Sequence, residues 1–171
     1  MGQSLRYIAR HHGAHIKKLA LLAVAAPCFT KREDFPHGLD KVTVDDLIHQ
    51  TYEDRPSMIK NFSEIFFAAP EKLSPEFKIW NLSLGLAASA YAIIQCAIEA
   101  RDADLRKDLA NIQVPTLILH GVNDRVCSFD LAKVMHEDIK GSHLVQIEKA
   151  GHGFYFEERG RVNSELVKFI G

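Results

Sequence analysis

The chain has 171 residues, a single domain by length, with 47% hydrophobic and 25% charged residues, the balance of an ordinary globular protein. A formal net charge of −1 offers no field to draw in nucleic acid or an anionic membrane, so neither is expected as a partner. Three widely spaced cysteines, Cys28, Cys96 and Cys127, form no CxxC pair and argue for reduced thiols over a disulfide framework.

The opening segment MGQSLRYIARHHG is polar and basic, without the apolar core or cleavage site of a signal peptide. Residues 4–12 carry Leu5, Ile8 and Ala9 at helical spacing, and Gly13 suits a helix stop. Residues 18–26 (KLALLAVAA) form a continuous apolar run before Pro27. Length and flanks predict a strand buried on both faces, as in a parallel sheet. A short helix competes, because Ala and Leu are good helix formers. Residues 28–42 read as a loop.

From 43 to 112 the patterns are all helical. Thr43 caps a predicted helix over 43–52, and Pro56 opens one over 56–67. Ser74-Pro75 opens a third, reaching about residue 100 with a break near Gly85, and 104–111 form a short fourth. The apolar stretches 19–28 and 84–92 are too short, or too rich in small residues, to span a bilayer, so a cytoplasmic protein is expected.

The pattern then changes. Residues 115–120 (PTLILH) are a short apolar strand ending at Gly121. Ser128 caps a helix over 128–139, closed by Gly141, and 143–148 (HLVQIE) are a second strand. Residues 161–170 are a terminal helix with Val162, Leu166, Phe169 and Ile170 on one face. Strand–helix–strand–helix at this spacing implies parallel strands, hence an α/β fold.

Two residues lie just past these last strands: Asp124 in HGVND, and His152 in AGHG. Parallel strands bring both to one carboxyl edge, where α/β proteins place their sites. Neighbouring strands are about 5 Å apart, so a carboxylate on one loop reaches an imidazole on the next. A carboxylate accepting from Nδ1–H fixes the tautomer and leaves Nε2 to take a proton from a nucleophile. Taken singly, an Asp after a strand reads as a turn residue and a His between glycines as a loop residue. The pairing of HGxxD and GHG, with a helix between, carries the signal.

Residues 114–154 (VPTLILHGVNDRV … HLVQIEKAGHGFYF) resemble the C-terminal part of the α/β-hydrolase family, above all its small cofactor-free esterases and non-haem haloperoxidases. Residues 18–27 match the family's sixth strand and 43–112 its inserted helical cap. The resemblance implies about three parallel strands with that cap: 1–34 and 113–171 as a partial core, 35–112 as the cap. By it, Asp124 is the triad acid and His152 the triad base. Val126 and Phe154 are implied as pocket-wall residues, Asp102 as structural. No metal or other cofactor is implied, and the substrate would be a small carboxylic ester, lactone or amide, perhydrolysis included.

The family's serine sits in G-x-S-x-G on a strained strand-to-helix turn, and this sequence has no such motif. Its opening resembles the helix and strand that come after that turn in the family, so the serine is expected upstream. Ser4 has Arg6 where a second glycine belongs, and Ser83 lies in a helical pattern. Cys28 has Pro27 before it and no glycines to bend a sharp turn. His11, His12 and His15 have no carboxylate or cysteine partner nearby and read as a solvated helix end. Phe62, Phe66, Phe67, Phe77 and Trp80 read as core packing or as the lining of an apolar cavity. A second reading competes with the enzyme: a truncated, non-catalytic assembly piece. The strand at 19–26, bare on one edge, would then self-associate or bind a complementary N-terminal part.

Overall fold

The computed structural model describes residues 2–11 and 13–171. Helix α1 (Gln3–His11) buries Leu5, Ile8 and Ala9, the three positions its spacing marks. Strand β1 (Leu19–Leu22) comes next and is shorter than the predicted nine residues. Ala23 takes a positive φ of 45°, which ends the extended run.

The long insertion before the next strand is helical. Helix α2 (Lys41–Phe66) is two helices merged across a kink at Asp54, where φ and ψ are −148° and 77°. Pro56 cannot share a straight helix with the carbonyl four residues before it. The Asp54 carboxylate accepts from the Ser57 amide at 3.1 Å and restarts the helix. Helices α3 (Pro75–Ala87) and α4 (Ala90–Asp102) are each capped by a serine: Ser74 accepts from Phe77 N and Ser89 from Ala92 N. The break therefore falls at Ala88–Ser89. Gly85, where the sequence predicted it, sits inside α3, and a Cβ there would lie 2.6 Å from Ile59 Cγ2. The glycine lets α3 approach α2. The α3–α4 pair bends by 87°, and among the described residues no single helix is long and apolar enough to cross a membrane. Helix α5 (Arg106–Leu109) is one turn, half the predicted length.

Strand β2 (Thr116–Gly121), helix α6 (Phe129–Asp138) and strand β3 (Ser142–Ile147) come after it. Helices α7 (Phe154–Glu157) and α8 (Arg159–Ile170) close the chain. The sheet runs β1-β2-β3, all parallel, with Leu21 opposite Ile118 and His120 opposite Gln146. Such an order makes β2 the central strand, and it is buried along its whole length.

Pleating sends alternate residues to opposite faces. Leu19, Leu21 and Ile118 pack on one face against Leu5, Leu109 and Met135 of the flanking helices. Leu117, Leu119 and Ile147 pack on the other against Phe154 and Val162, with Leu166 and Phe169 beside them. β1 departs from the prediction of burial on both faces: Leu19 and Leu21 are buried while Ala20 and Leu22 are exposed. Among the described residues β1 has a strand neighbour on one side only, and the core around α8 draws its strand residues from β2 and β3.

Candidate active site

Asp124 lies in a tight turn after β2. Its amide donates to Gly121 O at 3.2 Å, while the amides of Val122 and Asn123 donate to Ile147 O and Ala150 O. The turn is thus laced to the end of β3. Gly121 makes this approach possible, because a Cβ there would fall on the carbonyl oxygens of Gly151 and Ala150.

Each oxygen of the Asp124 carboxylate has its own work. Oδ1 accepts from the amides of Val126 and Cys127, both at 2.8 Å, which closes the turn. Oδ2 accepts from His152 Nδ1 at 2.8 Å and faces His120 Nε2 at 3.2 Å. The Asp124 side chain is wholly buried and that of His152 is 18% exposed. Burial alone would raise the carboxyl's pKa. The hydrogen bonds from His120, His152 and the Cys127 amide outweigh it and hold the group well below the usual carboxylate range. Asp124 is therefore ionised at neutral pH. With Nδ1 donating to it, His152 presents Nε2 as a free lone pair, unbonded among the described residues.

His120 is not among the candidates read from the sequence. It is completely buried, and its Nε2 lies 2.8 Å from Cys127 O. Both neighbours of Nε2 are acceptors, so this nitrogen carries the proton, and the buried Nδ1 has no partner among the described residues. A histidine ending an otherwise apolar strand is a visible signal of an inward polar contact.

The His152 loop is held from the helical insertion. Gly153 N donates to Phe66 O at 2.8 Å, and the Phe66 ring meets the imidazole edge-on at 4.9 Å between centroids. Glu157 accepts from Gly151 N with one oxygen, and from Ala68 N and Ala69 N with the other. Arg125, next to Asp124, donates to Glu64 O and Phe67 O at the end of α2, where helix carbonyls lack internal donors. Nothing in the local sequence marks Arg125 or the reach of Glu157 to the end of α2, because those partners are 58 to 89 residues away.

The other candidates fall elsewhere. Val126 is 7% exposed and lines an apolar cavity together with Phe62. Phe154 is fully buried, in the core cluster beneath β2 and β3. The chain enters α7 directly at residue 154, and that turn swings the ring under the sheet. Ser4 lies exposed in α1, and Ser83 lies within α3. Cys28 is completely buried, and its thiol pKa is raised by burial. Asp102 pairs with Arg101 at 2.7 Å and Lys41 at 3.7 Å, on the surface. His11 and His15 are exposed, and His12 lies outside the described residues.

Asp124, Cys127 and His152 offer atoms within 4.8 Å of one another, a set that in principle ligates a metal. The Asp124 oxygens are already filled by donors, and burial pushes the Cys127 thiol far above its ordinary range, so it stays protonated. The arrangement suits a carboxylate–imidazole proton store.

Known proteins share both sequence and shape with this chain. The model of the family described as TAP-like protein matches residues 87–171. The AB hydrolase superfamily protein YisY of Bacillus subtilis is 47% identical over 166 residues, 97% of this chain and 61% of the relative. The esterase structure from Exiguobacterium antarcticum superposes with a TM-score of 0.93 at 46% identity, covering 99% of this chain and 62% of that one. The bromoperoxidase structure from Bacillus anthracis gives the same TM-score at 30% identity, over 99% and 63%. This chain thus spans about three fifths of the length of the relatives it matches.

Proposed function

This chain belongs to the α/β-hydrolase superfamily, and from that premise we propose that Asp124 and His152 are the acid and base of a serine-type hydrolase. Its substrate is a small carboxylic ester, lactone or amide. The observation that carries the reading is the 2.8 Å bond from His152 Nδ1 to a buried, ionised Asp124, with Nε2 left unbonded.

The steps derive from that geometry. A serine outside these 171 residues attacks the substrate carbonyl while His152 Nε2 takes its proton. Asp124 holds the resulting imidazolium through Nδ1–H and keeps its own negative charge. The tetrahedral intermediate collapses, Nε2 returns the proton to the leaving group, and water repeats the sequence on the acyl-enzyme. Hydrogen peroxide in place of that water yields a peracid with the same groups. Only protons move through the chain's own residues. The free thiols of Cys28, Cys96 and Cys127 support a cytoplasmic setting.

The test is reconstitution. The chain is refolded with the segment of the Bacillus subtilis relative that it does not match, and p-nitrophenyl acetate hydrolysis is followed beside His152→Ala. The expected loss is on the order of 10⁶-fold in kcat. Equal rates in both proteins would remove His152 from the chemistry.

A second reading rests on a different observation. Among the described residues β1 bonds to β2 alone, and its Ala20 and Leu22 are exposed. Such an edge fits an assembly piece that acts by pairing with another strand.

A further inference from the structure

Gly151 and Gly153 flank His152, and the amides of both are held by one segment of the helical insertion. Gly153 N reaches that segment directly, donating to Phe66 O at 2.8 Å. Gly151 N reaches it through a side chain. It donates to Glu157 Oε2 at 2.7 Å, and Glu157 Oε1 accepts from Ala68 N at 2.8 Å and Ala69 N at 3.2 Å. Ala68 and Ala69 lie between the end of α2 and the turn that begins at Pro70, so their amides need acceptors from outside a helix.

These three bonds are not the capping of a helix. α7 begins at Phe154, which leaves Gly151 outside it, and the other two donors are 88 and 89 residues away. A carboxylate accepting from backbone amides makes shorter and stronger bonds than a neutral acceptor does. The fit is also close. A Cβ on Gly151 would lie 2.6 Å from Ala68 N and 2.9 Å from Phe67 C, so the loop lies against the insertion with no side chain between them.

The imidazole has few restraints of its own. Nδ1 bonds to Asp124, the Phe66 ring meets its edge, and Nε2 is unbonded among the described residues. The aim of the ring is therefore set by where its backbone stands. A misplacement of about 1 Å at reacting groups costs on the order of 10²-fold in rate.

We propose that Glu157 is a positioning residue for the reaction: its carboxylate fixes the backbone before His152 against Ala68 and Ala69, and so keeps Nδ1 within reach of Asp124. Its effect on rate rests on Asp124 and His152 being the hydrolytic pair; its hold on the imidazole does not.

The first test follows the His152 Nδ1–H resonance in the full 171-residue chain, at a temperature where each variant is folded. Glu157→Ala should move that resonance upfield or erase it. Glu157→Gln keeps one acceptor oxygen and turns a donor toward the remaining amides, so its shift should be intermediate. Leu166→Ala is the control, because Leu166 packs on the core under β2 and β3 and makes none of these bonds. It should lower the urea midpoint and leave the resonance in place. A native resonance in folded Glu157→Ala overturns the proposal, as it does in Glu157→Gln if the alanine variant does not fold. So does a resonance lost equally in Leu166→Ala, which would make it a report of stability alone. In reconstituted enzyme, Glu157→Ala should lower kcat for p-nitrophenyl acetate about 10²-fold and leave KM within about twofold. The two readings fail separately. A native assembly that hydrolyses nothing, with the resonance lost in Glu157→Ala, removes the hydrolase and keeps Glu157 as the group that aims the imidazole. Hydrolysis at native kcat by Glu157→Ala keeps the hydrolase and removes Glu157.

Discussion

Asp124 is the residue on which the site turns, because its two oxygens meet four donors and its side chain is wholly buried. Its folded pKa is depressed, while in the unfolded chain it titrates near the ordinary value of about 4. Above about pH 4 both states are ionised and the carboxylate's full contribution to stability is present. As pH falls below that, the unfolded chain takes up the proton first, and the contribution is lost on the way down to the folded pKa. The stability gap between the native chain and Asp124→Asn, from urea unfolding, should hold steady from pH 7 to 5 and shrink below about pH 4. A gap unchanged at pH 3 would contradict the assignment. His120 makes a separate claim. His120→Leu keeps the bulk but leaves Cys127 O and Asp124 Oδ2 short of a donor, which should cost about 1–3 kcal/mol. Urea midpoints that match the native chain's would show that His120 only fills space.

The elements meet at one place, the end of α2, and there the site is assembled. Arg125 ties the turn of Asp124 to the carbonyls of Glu64 and Phe67, and Gly153 ties the loop of His152 to Phe66. The fit between the β2 turn and the β3 loop depends on Gly121 having no side chain. Gly121→Ala would press a methyl onto two backbone oxygens, which cannot rotate away as side chains can. It should cost about 1–3 kcal/mol and pull the His152 loop from Asp124. The Nδ1–H resonance of His152, a marker of the bond to Asp124, should move upfield or vanish in that variant. An unchanged resonance would show that the loop accommodates the methyl. Much of this level is absent from local sequence. HGxxD and GHG announce the two strand ends, but the clamp on α2 joins residues far apart in the chain, and no local pattern records it.

At the scale of the whole molecule, the sheet is asymmetric. β2 is paired on both edges, whereas β1 pairs on one and leaves Leu22 37% exposed. An edge of unpaired amides beside apolar surface favours association. Light scattering should show a mass that grows with concentration, and Leu22→Lys should lower it. A monomer at every concentration, melting cooperatively, would show that the edge is self-sufficient.

The alternation of apolar runs and helical stretches already determined an α/β fold with parallel strands, since period and length are local properties of the chain. The meeting of Asp124 and His152 was legible in the same way, because a residue just past a parallel strand reaches the carboxyl edge wherever that strand lies. The break in the 74–100 stretch, expected near Gly85, falls at Ala88–Ser89 because Ser89 caps the second start. Only the tertiary structure decided the rest. Phe154 went to the core because the chain turned into α7 at that residue, and β1 lost one covered face because its cover depends on what packs beside it. His120 joined Asp124 because a turn brought two residues four apart into hydrogen-bonding range. Burial and long-range pairing are properties of neighbours in space, and a sequence lists only neighbours along the chain.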